Sequence, residues 1–169
     1  MLNIKKPVVC IIAVCIVLAV VAVIIIGLIR TGESKWETYR FPSYEYDRVA
    51  FKTDTQMYPL SFEAVTVLLT NEEMESGLMC GREFVLVKRF GKEWRVVPFS
   101  DETAFRDIAT VLDLGESVTY TLTPDMIESG LDEGNYRIVT EVWYVNEPPP
   151  QTKRRVWADF TISEENSST

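Results

Sequence analysis

The chain has 169 residues, enough for one domain with appendages, and a formal net charge of −8 that is spread unevenly. Lys5 and Lys6 come first and no acid precedes Glu33, so positions 30 to 169 set 15 basic residues against all 25 acidic ones, a net of −10. So acidic a domain excludes nucleic acid as a partner, because phosphates require clustered Lys and Arg. The chain has no His, so the usual general base and the commonest metal ligand are missing.

Residues 7–29, PVVCIIAVCIVLAVVAVIIIGLI, carry no charge. As a helix they would rise roughly 34 Å at about 1.5 Å per residue, enough to cross a hydrocarbon core of about 30 Å. The run outlasts the apolar part of a cleavable signal peptide, and no small-residue cleavage site follows it. Cys15 follows Ile12, Ala13 and Val14, without the small residue that precedes a lipidated Cys. Residues 1–30 are therefore expected to be a cytoplasmic tip and a retained transmembrane helix, in contact with the lipid bilayer through 7–29. Lys5, Lys6 and the amino terminus outweigh Arg30 and Lys35, which Glu33 offsets. That asymmetry predicts a single-pass protein of the cell membrane, N-terminus cytoplasmic and C-terminal domain extracytoplasmic. Cys10 and Cys15 fall within the anchor, which leaves Cys80 alone, so no disulfide can form inside the exported domain. Cys80 is read as a buried thiol in preference to an intermolecular link.

Residues 31–46 form a linker dense in aromatics: Trp36, Tyr39, Phe41, Tyr44 and Tyr46. Trp36 and Tyr39 are near enough to the bilayer for an interfacial belt, whereas the later rings suit packing on the domain. From 47 to 163 the pattern is one of short strands and turns. RVAF and YPLS come first. In FEAVTVLLTN, Phe62, Ala64, Thr66 and Leu68 share one face and Val65, Val67 and Leu69 the other, as in a mid-sheet strand. NEEMESG reads as a polar turn. EFVLVKRF and EWRVVP make a hairpin at Gly91-Lys92. SDETAFRDIATVL fits either a helical turn or a ragged edge strand. DLGES turns the chain into the alternating strand VTYTLT. PDMIESG suits one helical turn, with Pro124 at its start and Gly130 at its end. NYRIVTEVWYV and RRVWADFTIS form the last long pair, joined by NEPPPQTK. Residues 164–169 are a polar tail in which Asn166-Ser167-Ser168 matches a glycosylation sequon. No long amphipathic helix interrupts the strands, so the class is mainly β, an antiparallel sandwich.

Within LDEGNYRI (131–138), Tyr136 fits a tyrosine corner, whose hydroxyl bonds to backbone upstream and pins the start of a late strand. Gly134 supplies the positive φ of the tight turn before it. Two residues on, where antibody domains place a disulfide Cys, stands Ile138. WRVVPF, AFRDIATVLDLGES and LDEGNYRIV together resemble the bacterial Ig-like domain of Gram-positive secreted and membrane-anchored proteins, over Leu60 to Ile162. The most specific elements are Asp107-Ile108-Ala109, Leu114-Gly115-Glu116-Ser117 and Gly134-Asn135-Tyr136-Arg137. The resemblance implies an immunoglobulin-like antiparallel β-sandwich used for accessory or display roles, with no catalytic residues. NEEMESGLMCG departs from the pattern, being apolar near Leu78 and Met79, which leaves the conformation of this loop open.

No enzyme class gains support. Cys80 has no His to activate it. Asp101 and Glu102 are adjacent, so on a strand they would point to opposite faces, and Asp132 and Glu133 belong to a turn. No Gly-rich phosphate loop appears, and no cofactor or metal is expected. If Tyr136 and Ile138 face inward, Arg137, Val139, Glu141 and Trp143 face out; in the partner strand Val156, Ala158, Phe160 and Ile162 face in and Arg155, Trp157, Asp159 and Thr161 out. Trp143 and Trp157 then share an outer face beside Pro148-Pro149-Pro150 and the basic run Lys153, Arg154 and Arg155. This end is expected to contact a partner protein or an anionic cell-wall polymer, since Trp and Arg are favoured anchors. The competing expectation covers both rings with the aromatic linker or a neighbouring strand. The reading favoured is a membrane-anchored, extracytoplasmic, non-enzymatic Ig-like module for adhesion, assembly or sensing. The alternative is a structural spacer subunit of a cell-envelope complex whose anchor helix does the work.

Overall fold

The computed structural model describes residues 21, 36–42, 49–72, 75, 77–105, 108–146 and 152–164. The chain divides into two compact units, Met1–Trp36 and Glu37–Thr169. In the first, Val21 is helical, and the rest of the apolar run 7–29 lies outside the described residues. Among the described residues no helix is long and apolar enough to cross a membrane. The 147–151 loop and the sequon on the tail also lie outside them.

The second unit is a two-sheet sandwich. A small sheet joins β2 (Val49–Thr53), β4 (Val65–Asn71) and β9 (Ser117–Leu122) in the order β2-β4-β9. The large sheet runs β1 (Thr38–Tyr39), β7 (Glu93–Val96), β6 (Val85–Phe90), β10 (Gly134–Tyr144), β11 (Arg154–Ser163) and β3 (Met57–Pro59), with β5 (Leu78–Cys80) on β10 and β8 (Thr110–Leu112) on β5. Strict alternation explains the long strands. In β9, Val118, Tyr120 and Leu122 turn inward and Ser117, Thr119 and Thr121 outward; in β11, Val156, Ala158, Phe160 and Ile162 form the inward set. In the central strand β4, Val65, Val67 and Leu69 are fully buried while Leu68 is exposed, so the other face of the small sheet meets water. Each fully buried Val or Leu contributes about 1.5–3 kcal/mol, and this interior replaces a disulfide.

Three features depart from the sequence expectation. One pairing is parallel, β3 with β11, because the chain leaves β2 in one sheet and reaches the other already running alongside β11. The compact unit begins at Glu37, and Tyr39, read as one of the linker aromatics, lies in β1 at the edge of β7. Finally, LMC, read as part of a turn-rich loop, is strand β5, paired on one side with β10 and on the other with β8. SDETAFRDIATVL resolves as an exposed turn at Asp101–Glu102 followed by the edge strand β8, so these two acids sit on a turn and not on a strand. PDMIESG forms one 3-10 turn, Pro124–Met126, and Gly130 follows at φ 71°.

β5 and β6 both run antiparallel along one edge of β10, as two halves of one long strand. Cys80 stands opposite Val142 and Val85 opposite Val139. Four residues, Gly81 to Phe84, therefore face only Thr140 and Glu141, and the surplus is a wide bulge. Its carbonyls are taken up by side chains: Thr140 Oγ1 donates to Glu83 O (2.8 Å) and the Tyr120 hydroxyl to Gly81 O (2.7 Å).

Tyr136 is 1% exposed and stacks on Phe160, its cross-strand partner, at 5.4 Å between centroids. Its hydroxyl donates to the Asp132 carbonyl at 2.7 Å and lies 2.9 Å from the Asp132 carboxylate. Lys88, buried on β6, pairs with the same carboxylate. Burial pushes the Asp132 carboxyl up, but the hydrogen bonds from Lys88 and Tyr136 outweigh it and hold the group below the usual carboxylate range. Gly134, at φ 152°, is needed twice over. A Cβ there would adopt a disfavoured backbone region and would sit 2.9 Å from the Lys88 Cε. Ile138 is fully buried.

Candidate binding groove

The outer face of the large sheet has an apolar centre of its own. Val87 and Val139 point outward yet are buried. Part of this face is covered by residues 37–42. Val96 N donates to the Glu37 carbonyl at 2.8 Å, β1 adds two residues to the edge of β7, and the chain then carries Phe41 to 5.2 Å from Trp157 and 5.9 Å from Trp94, both edge to face. The Arg137 guanidinium sits among these rings, 4.4 Å from Trp94, 4.8 Å from Phe41 and 5.4 Å from Trp157. Its other contact is a two-pronged pair with Asp159, at 2.5 and 3.2 Å. A cation among three rings, with its own counter-ion, fastens the segment to the sheet.

Beyond this segment the face opens into a groove of about 540 Å³. Its lining comes from Tyr39, from the bulge with Val85 beside it, from Phe105 and Ile108 ahead of β8, and from the last hairpin. The bulge exists because β10 passes from β6 to β5 at Thr140–Glu141, and Phe84 there turns inward to meet Phe105 (5.0 Å) and Phe99 (5.4 Å). Trp143 stands across from Met79, and Met79 across from Val111, so three apolar side chains form a row over β10, β5 and β8. Val111 and Ile108 are 47% and 55% exposed.

The five side chains expected to form one contact surface are separated. Trp143, Lys153 and Arg155 line the groove. Trp157 is half-buried against Phe41 and Arg137, in the covered part of the face. Arg154 pairs with Val142 on the opposite side of β11 and lies 4.4 Å from the Tyr144 ring. Strand parity within Lys153-Arg154-Arg155 was the signal that divides them. Tyr39, Arg82, Glu83, Phe105 and Ile108 line the groove without having been expected there. Only Tyr39 had a sequence cue, its place among the linker aromatics.

Lys153 Nζ is 3.1 Å and Arg155 Nε 3.5 Å from the Glu141 carboxylate, so one acid serves two cations. Lys153 also stands 5.5 Å from the Trp143 ring and Arg155 5.5 Å from the Tyr39 ring. Burial pushes the Tyr39 phenol up, with the Arg155 charge pulling the other way, and it remains a neutral hydroxyl at neutral pH. Arg155 further donates to the Arg40 carbonyl at 3.4 Å. Cys80 is fully buried, its thiol directed at the Thr110 carbonyl and raised in pKa by burial, which removes it from reach of a second chain. Among the described residues no group of His, Cys, Asp or Glu side chains is placed to hold a metal ion.

The family model described as Bacterial Ig-like domain matches residues 45–163, a longer stretch than the sequence motifs alone had covered. No curated protein matches the chain. The match spans more than half the chain and coincides with a two-sheet sandwich pinned by Tyr136: the chain belongs to the bacterial Ig-like domain family.

Proposed function

We propose that the chain is a membrane-anchored, extracytoplasmic binding module, non-enzymatic, which holds a partner in the groove around Trp143 in adhesion, assembly or sensing. The observation that carries this reading is the unequal treatment of one sheet face. Residues 37–42 seal its Trp94–Trp157 part, whereas Trp143, Lys153 and Arg155 border a concavity. Concave sites with apolar lining and a few convergent polar groups are where proteins hold ligands. Membership in a family of display modules supports a role without chemistry. The uncharged run 7–29 behind Lys5 and Lys6 supports an anchor with the sandwich outside the cytoplasm.

The test is recovery of the full-length protein with its partner from membranes. Trp143→Ala combined with Lys153→Glu should abolish recovery of the partner, and substitution of the exposed Met57, away from the groove, should leave it intact. Equal recovery from both would refute the groove as the contact. If a chain cut back to residues 1–46 still performs in the cell, the sandwich is a spacer and the anchor is the working part.

A further inference from the structure

We infer that the occupant of this groove is an acidic saccharide chain, a sugar polymer bearing carboxylate or phosphate groups; the inference rests on the groove being the binding site. Three observations converge on that chemistry. The first is the order of groups along the hairpin side of the groove. Tyr39, Arg155, Glu141, Lys153 and Trp143 form a continuous series in which each aromatic ring has a cation against it and a single carboxylate lies between the cations. Aromatic faces take up the C–H faces of sugar rings, and cations set beside them meet an anionic substituent on the same or the next ring.

The second is charge. Arg82, Lys153 and Arg155 outnumber Glu83 and Glu141 in the lining, although the chain beyond residue 29 is strongly acidic. Glu141 must divide its charge between two cations whose side chains stay 61% and 43% exposed, so positive charge is left over and within reach of an incoming anion. Elsewhere the acidic surface repels such a polymer, which confines it to the groove.

The third is the direction in which the site is built. The lining draws on β6, β10 and β11 together, and at the floor the backbone of Val139 is already engaged in the ladders with Val85 and Trp157. At that floor a peptide has no free sheet edge to extend, so recognition there falls to side chains. The lining offers donors from Arg82, Lys153, Arg155 and the Tyr39 hydroxyl and acceptors from Glu83 and Glu141, and a polyhydroxyl ligand uses both kinds. A space of about 540 Å³ falls within the range of small-ligand sites, about 300–1,000 Å³, and admits a few sugar rings but not the surface of a folded domain.

The experiment is calorimetric titration of the full-length chain in detergent micelles. The ligands are oligogalacturonate, a glycosylated poly(glycerol phosphate), neutral dextran oligomers and poly-glutamate. At least one of the two acidic saccharides should bind at least tenfold more tightly than dextran and poly-glutamate. Trp143→Ala should weaken that binding at least tenfold, and Lys153→Gln with Arg155→Gln should weaken it and flatten its salt dependence. Circular dichroism of each variant guards against unfolding, and the exposed Lys153 change serves where Trp143→Ala fails to fold. Failure of both acidic saccharides to bind overturns the inference, as does poly-glutamate binding as well as they do, or indifference to Trp143→Ala. If a membrane partner is still lost on Trp143 substitution, the groove stands and its occupant is a protein; if that contact also survives, the binding reading falls with it.

Discussion

Trp157 and Trp143 face the same way from neighbouring strands, and each stands next to a cation, yet their surroundings differ. Trp157 is met by Phe41 and by an Arg137 that already owns the Asp159 carboxylate, which closes the set. Trp143 is met by Lys153, which shares Glu141 with Arg155, and a cavity lies alongside. The residue types are the same. What separates a structural Trp from one available to a ligand is whether another part of the chain brings rings of its own to cover it.

Paired truncation tests that contrast most directly. Trp157→Ala removes the surface on which Phe41 rests and should cost about 2–3 kcal/mol, at the low end for a large aromatic because the ring is half-buried. Trp143→Ala should cost less, about 1 kcal/mol, since beside Met79 its neighbours are the flexible Lys153 and an open groove. Guanidinium unfolding midpoints measure both, and equal losses would erase the distinction. Next in size is Tyr136→Phe on the inward side of β10. It leaves the Asp132 carbonyl without its donor and should cost about 1–2 kcal/mol while ligand or partner binding at the groove stays unchanged. Arg137→Gln should follow at about 1 kcal/mol, accompanied by a change in tryptophan emission as Phe41 loosens over Trp94 and Trp157.

The smallest effect concerns pH. The Asp132 carboxyl is held below its ordinary value in the folded chain, so its ionised form favours folding. That contribution is complete above the unfolded-state value of about 4 and disappears as pH falls through the lower folded value. The stability difference between the native chain and Asp132→Asn should therefore be constant above about pH 5 and shrink below about pH 4, read from urea unfolding at each pH. The ranking of Trp157→Ala over Trp143→Ala should be the same at both ends of that range.

Much of the frame was legible because it obeys local rules. Alternation marked β4, β9, β10 and β11, Gly91-Lys92 marked the hairpin, and Pro124 with Gly130 bracketed the 3-10 turn. Gly134 and Tyr136 could be assigned because a positive φ and a buried phenol with an upstream acceptor leave a short, specific signature. β1, β3 and β5, of two or three residues each, escaped firm assignment. Strands so short have no periodicity to display, and their stability comes from partners distant in sequence: β7 for β1, β11 for β3, β10 and β8 for β5. The groove was half legible for the same reason. Trp143, Lys153 and Arg155 follow from hairpin parity, but Phe105, Ile108 and Arg82 reach it only through long-range placement.

The surplus at Gly81–Phe84 amounts to two residues, and its place between two ladders matters for how such domains diversify. Leu78, Cys80 and Phe84 before and within the bulge, and Leu86 and Lys88 after it, all keep the same inward sense. Because this segment lies outside both ladders, adding or removing residues there would widen or narrow the neighbouring concavity while β5 and β6 keep their registers on β10. The site can thus be retuned without renegotiating the fold.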